Sequence, residues 1–225
     1  MPENLDNEIE ALKEKLLFMA THAEAAVNGA LKALIRRDDE LARQTHEDDT
    51  IIDRLEVEID EAAIELLARE LSFPTLRLIT TAMKIAHDLE RVGDEATTIS
   101  RRCMALSREP QLQQADEIPQ MGQLATDMLR DSLDAFVNRD SVLAQAIIPR
   151  DKRVDAINKN LQRGLTAHMA QHPETIERCL NLMVISKSLE RIADHATNVA
   201  EMVVYLCEGR DIRHAHPESA DPPGP

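Results

Sequence analysis

The 225-residue sequence has no tryptophan, one tyrosine and three phenylalanines. Any core must therefore be aliphatic, and Leu, Ile, Val, Ala and Met are plentiful enough to build one in the manner of helical bundles. Glycine is scarce at six, and the ten prolines lie mostly outside the periodic segments, which argues against a turn-rich sheet protein. Positive charge is in deficit: 26 Lys and Arg against 41 Asp and Glu leave a formal charge of −15. That field opposes nucleic-acid phosphates and anionic lipid surfaces as partners. The three cysteines (Cys103, Cys179, Cys207) are odd in number and lack C-x-x-C spacing. They read as small buried hydrophobes in a reducing compartment. Neither a signal peptide nor a run of eighteen apolar residues is present, which predicts a cytoplasmic protein with no membrane insertion. A nucleophile elbow, a Walker loop and Rossmann glycines are also missing, and no Glu-x-x-His spacing occurs. The chain is therefore not expected to be an enzyme.

What is present is an internal repeat. MKIAHDLERVGDEATTISRR at 83–102 returns as MVISKSLERIADHATNVAEM at 183–202, with eight of twenty aligned residues identical. In the first copy Ala82, Ile85, Leu89, Val92, Ala96, Ile99 and Cys103 alternate steps of three and four. In the second, Leu182, Ile185, Leu189, Ile192, Ala196, Val199 and Val203 do the same, so each copy is an amphipathic helix with one core stripe.

Helical spacing also predicts a first helix from Asn4 to Arg36. A second starts at the Arg37-Asp38-Asp39 turn and reaches about Leu71, and a third runs from about Thr75 to Ser107 after Pro74. The pattern then starts again, with helices at about 120–138, 141–171 and 173–207. KALIRRDDELA at 32–42 aligns with DAFVNRDSVLA at 134–144, and Pro149 should kink or delay the fifth helix. The expected architecture is all-α: two tandem antiparallel three-helix bundles related by duplication. They span 1–108 and 120–209, with a linker at 109–119 and a disordered tail at 210–225.

Acidic pairs four residues apart recur at matched positions: Glu90 with Asp94 and Glu190 with Asp194, then Asp49 with Asp53 and Asp151 with Asp155. Each pair shares a helix face, where like charges cost a few tenths of a kcal/mol without a cation. If the second and third helices of each bundle are antiparallel neighbours, four carboxylates meet in each unit. Such oxygen ligands suit hard cations, Mg²⁺, Mn²⁺, Ca²⁺ or iron, better than zinc, which lacks its usual partners here. The competing reading is a solvated acidic face in a chain with 41 acids. Asn198 is a candidate amide ligand and His195 a candidate support for a metal ligand, each set against a plain surface role. His87, in the run AHDLER, has the look of a phospho-accepting histidine, but Lys187 occupies its place in the second copy and argues against that role. His214 and His216 lie in the tail.

With the repeat, the two LER-x-x-D blocks and the bundle periodicity, the chain resembles the PhoU family of phosphate-transport accessory proteins. The resemblance runs over about residues 5–214. It rests on EDDTIIDRLEVEID at 47–60, LRLITTAMKIAHDLERVGDEA at 76–96, SKSLERIADHATNVAE at 186–201 and the ending VYLCEGRDIRHAH. It implies duplicated three-helix bundles whose D/E-x-x-x-D motifs hold metal ions, with iron, zinc, Mn or Mg as candidates. It further implies negative regulation of phosphate-starvation signalling through a sensor histidine kinase and the ATPase subunit of a phosphate ABC transporter, and it admits a homodimer. Two departures stand out: Thr75 where the family usually has Asp before Leu-Arg, and Ala193 where the first copy has Gly93. The alternative function is a metal-storage or carboxylate-bridged metalloenzyme bundle, motivated by the same acids.

Overall fold

The computed structural model describes residues 2–47 and 49–213, so His214, His216 and most of the expected tail lie outside the described residues. Eight α-helices carry the described chain. They are α1 (Pro2–Arg36), α2 (Asp39–Glu47), α3 (Asp49–Leu67), α4 (Phe73–Leu106), α5 (Ile118–Asn138), α6 (Ser141–Ile147), α7 (Asp151–Gln171) and α8 (Ile176–Glu208). No strand occurs among the described residues. The first bundle is α1, α2 with α3, and α4; the second is α5, α6 with α7, and α8.

Local chemistry sets the boundaries. The Ser72 hydroxyl accepts the Thr75 N–H at the start of α4, with Pro74 in the first turn. At the fifth expected helix Pro149 produces a 3-10 turn at Ile148–Arg150 that separates α6 from α7. The aligned Arg-Asp turns are the same structure twice. Arg37 and Arg139 both take left-handed backbone angles (φ 57° and 50°), and Asp38 and Asp140 each accept an N–H of the next helix. The second helix ends at Leu67 rather than Leu71, and a 3-10 turn at Pro173–Thr175 precedes α8. The linker is not a free tether. Leu112 is buried, a 3-10 turn spans Gln113–Ala115, and α5 begins at Ile118.

Every residue of both core stripes is buried. The larger finding is that α4 and α8 are buried on a second face, because they pack against each other and fuse the two bundles around one continuous apolar core. Asp88 lies opposite His195 and Asn198, Glu95 opposite Arg191, and Arg102 opposite Asn181, so α8 runs antiparallel to α4. Asp88 and Glu95 are each only 9 % exposed; their partners across the seam are what make the burial of two carboxylates tolerable. Of the cysteines, Cys103 and Cys179 are buried as expected, whereas Cys207 is exposed. Burial pushes the Cys103 thiol up to about 11, which makes it unreactive.

Candidate metal centres

The acidic pairs sit where α3 meets α4 and where α7 meets α8. In the second unit all four carboxylates converge. Burial raises the Asp151 carboxyl to about 6, and the charges of Asp194, Asp155 and Glu190 add to it. Asp194 is raised for the same reasons, burial first and then Glu190. Asp151 Oδ1 is buried and accepts no hydrogen bond, the condition a bound cation would relieve. Glu190 is buried and ion-paired to the Lys187 ammonium.

The first unit is arranged differently. Asp49 is raised by burial and then by Asp53 and Asp94, so these three carboxylates share one neighbourhood. A methyl group on Gly93 would come within 2.8 Å of Asp49 Oδ1, which identifies this glycine as the close-approach point of α3 on α4. The methyl of Ala193 is accommodated, fully buried, in the second unit. Glu90 joins a different group, with Glu56 one helical step beyond Asp53 and with His87. One ligand atom from each of Glu56, His87 and Glu90 lies within 4.8 Å of the other two. The Glu90 carboxyl is raised by burial and then by Asp94. Arg91 stands 3.3 Å from its Oε2 and 3.2 Å from Asp94, a partial counterweight to both acids.

Glu56 and His87 of the first unit and Asp151 and Asp194 of the second face one cleft of about 820 Å³ between the units. Arg213 also lines it, so the first residues of the expected tail fold back against the body. Asn198, the candidate amide ligand, also lines the cleft, but it and His195, the candidate support, are both engaged by Asp88. The Asn198 amide donates to Asp88 at 3.0 Å, and His195 Nδ1 lies 2.8 Å from the same oxygen, so both serve the seam between bundles. Glu56 stands four residues before Asp60, but the second copy has Asn158 and Gln162 at those places, so the pair is not among the acidic pairs that recur. The signal that points to Glu56 is His87-x-x-Glu90, the reverse of Glu-x-x-His and equally a shared helix face.

Comparison with known proteins covers nearly the whole chain. The profile of the PhoU domain matches twice, at residues 16–103 and 118–203. A phosphate-specific transport system accessory protein PhoU homolog from Pseudomonas putida is 40% identical over 214 residues, 94% of this chain and 84% of the relative. The homolog from Aquifex aeolicus is 37% identical over 94% of this chain and 96% of its own. The crystal structure of PhoU from Pseudomonas aeruginosa superposes with a TM-score of 0.89 at 39% identity, covering 91% of this chain and 99% of that one. The regulatory protein PhoU of the Streptococcus pneumoniae phosphate transport system gives a TM-score of 0.85 at 28% identity, covering 92% and 99%.

Proposed function

The chain belongs to the PhoU family, and from that premise we propose that it is an accessory regulator of phosphate-specific transport that represses phosphate-starvation signalling and adjusts phosphate uptake. The observation that carries this reading is the match of both repeats to the PhoU domain, within a chain that covers 84% of a relative 40% identical to it. The partners proposed for it are a sensor histidine kinase and the ATPase subunit of a phosphate ABC transporter. No helix of the described residues is long and apolar enough to cross a membrane, so it would meet both as a peripheral protein. No catalytic role is proposed. Deleting the gene should leave a phosphate-starvation reporter active in phosphate-rich medium; a reporter that stays repressed defeats the signalling reading. Phosphate import in the same strain separates control of uptake from control of signalling.

Metal binding belongs to the same proposal. Asp49, Asp53 and Asp94 with Glu90, and Asp151, Asp155, Glu190 and Asp194, offer hard oxygen ligands for a divalent or trivalent ion. The orphaned Asp151 Oδ1 supports this, because a buried carboxylate oxygen without a donor costs free energy that a cation would recover. Bound ions would neutralise the acidic cleft and cross-link neighbouring helices. Elemental analysis is the test: Glu90→Gln with Asp94→Asn, combined with Glu190→Gln and Asp194→Asn, should lower metal content and abolish the metal-dependent rise in Tm while helix content stays unchanged. Equal metal in wild type and variant would leave the acids a solvated face. An iron-storage bundle would instead take up many ions per chain and oxidise Fe²⁺.

A further inference from the structure

We infer that Glu56, His87 and Glu90 form a mononuclear site for a first-row divalent cation of the Co²⁺, Ni²⁺ or Zn²⁺ type, present in the first unit and absent from the second. The site shares Glu90 with the carboxylate reading above but needs none of Asp49, Asp53 or Asp94. It therefore stands or falls separately.

The geometry comes first. Three donors from two helices converge, with His87 Nδ1 3.1 Å from Glu56 Oε1 and one atom of Glu90 within 4.8 Å of both. Two ligands each about 2.0–2.1 Å from one ion lie roughly 3 Å apart at the angles of tetrahedral or octahedral coordination. The first edge of such a polyhedron is thus already formed, and Glu90 stands within 4.8 Å of both of its ends. His87 and Glu90 are three apart on α4 and so project from one face, while Glu56 comes from α3 across the helix pair. Glu56 and His87 line the cleft, which leaves open coordination positions facing solvent.

Donor chemistry sets the class of ion. One imidazole nitrogen and two carboxylates disfavour Mg²⁺ and Ca²⁺, which prefer all-oxygen shells, and favour the borderline metals that accept imidazole. The present partners leave the site incompletely compensated. Glu90 Oε2 is buried and accepts no well-formed hydrogen bond, although Arg91 Nε stands 3.3 Å away.

The second unit supplies an internal control. At the offsets of the repeat, Glu56 corresponds to Asn158 and His87 to Lys187. Asn158 is buried within hydrogen-bond distance of Gln162, and the Lys187 ammonium is ion-paired to Glu190. Where the first unit presents a three-ligand set, the second has a lysine that supplies the positive charge itself, and Asn158 and Lys187 together replace two of the three ligands.

Cobalt titration of the full chain, stripped with chelator, tests the inference. The wild type should bind Co²⁺ with a visible ligand-field band and a paramagnetic shift of one histidine resonance, assigned to His87 by its loss in H87K. H87K and Glu56→Gln should each weaken that event at least about tenfold. Asp49→Asn with Asp53→Asn should leave it in place. Circular dichroism confirms folding, which is expected because the His87 side chain is 58% exposed. Installing the set in the second unit, Asn158→Glu with Lys187→His, should add one equivalent of Co²⁺. A wild type with no Co²⁺ band, or an H87K chain with the wild-type band and affinity, overturns the inference. A band lost only on removing Asp49 and Asp53 also overturns it and assigns the metal to the carboxylate set. Retention of the band together with unchanged total metal in Asp49→Asn/Asp53→Asn would count against the carboxylate reading alone.

Discussion

The two units solve the same electrostatic problem in opposite ways. Each gathers acids at the contact between its second and third helices, four residues apart on each helix. The second unit places an ammonium, Lys187, against its most buried acid. The first has the weaker base His87 beside Glu56 and pairs Arg91 with Glu90 and Asp94. Gly93 draws α3 close enough for Asp49 to approach the α4 backbone, whereas Ala193 fills the equivalent space with a methyl group. A duplicated helix pair thus keeps its fold while the balance between built-in and borrowed positive charge drifts.

The largest effect expected tests whether this difference is confined to the surface. Leu89 and Leu189 are fully buried at matched positions. Each mutated to Ala should cost about 3 kcal/mol, and because the core is continuous both should shift one common unfolding transition in urea. Two separate transitions, each sensitive to one mutation, would break the picture of fused units.

Removing the built-in cation comes next. Lys187→Met strands the Glu190 carboxylate, which is 8 % exposed, and should destabilise the protein by about 1–2 kcal/mol, below the fully buried case because Lys187 is half exposed. The matched His87→Met should cost less than about 0.5 kcal/mol in chelator. Comparable urea midpoints for the two would erase the contrast.

Acidity separates the metal-free from the metal-bound condition. Asp151 titrates near 6 when folded and near 3.8 when unfolded, so the folded state binds more protons between those values. Its contribution to stability is fully present below about pH 4 and is lost as pH rises through 6. In chelator, Asp151→Asn should therefore stabilise the protein by about 1 kcal/mol at pH 7 and by little at pH 4. Saturating Mn²⁺ should reverse the sign at pH 7, because the variant loses a ligand. Tm against pH, with and without metal, reads both outcomes.

The smallest effect concerns the glycine. Ala193→Gly should cost about 1 kcal/mol through helix propensity and a lost methyl contact. Gly93→Ala should be close to neutral, the gain in propensity offset by displacing Asp49 Oδ1, while weakening metal uptake in the first unit only. Thermal unfolding and elemental analysis of the pair make the comparison.

Much of this was legible in the chain. The three-and-four spacing located both core stripes, the Arg-Asp turn appeared twice as a left-handed residue followed by a capping aspartate, and Pro149 marked a 3-10 turn. Periodicity was blind to the second buried face of α4. Asp88 and Glu95 are polar residues that pass for solvent-facing ones until His195, Asn198 and Arg191 are known to stand opposite, and such contacts leave no period. The parting of Glu90 from Asp49 was hidden for a related reason. Spacing fixes which helix face a carboxylate occupies but not which neighbouring helix its rotamer reaches.

The antiparallel seam between α4 and α8 also governs how the protein responds to dilution. Its polar pairs and apolar contacts join two bundles that one connection, residues 107–117, already holds together, and because that connection is itself packed through the buried Leu112, docking of the bundles is an event within one molecule. The bundles therefore stay engaged however sparse the protein is in the cell. A cut in that connection would place the same seam under mass action, and the two halves would separate at low concentration without any change in a single contact.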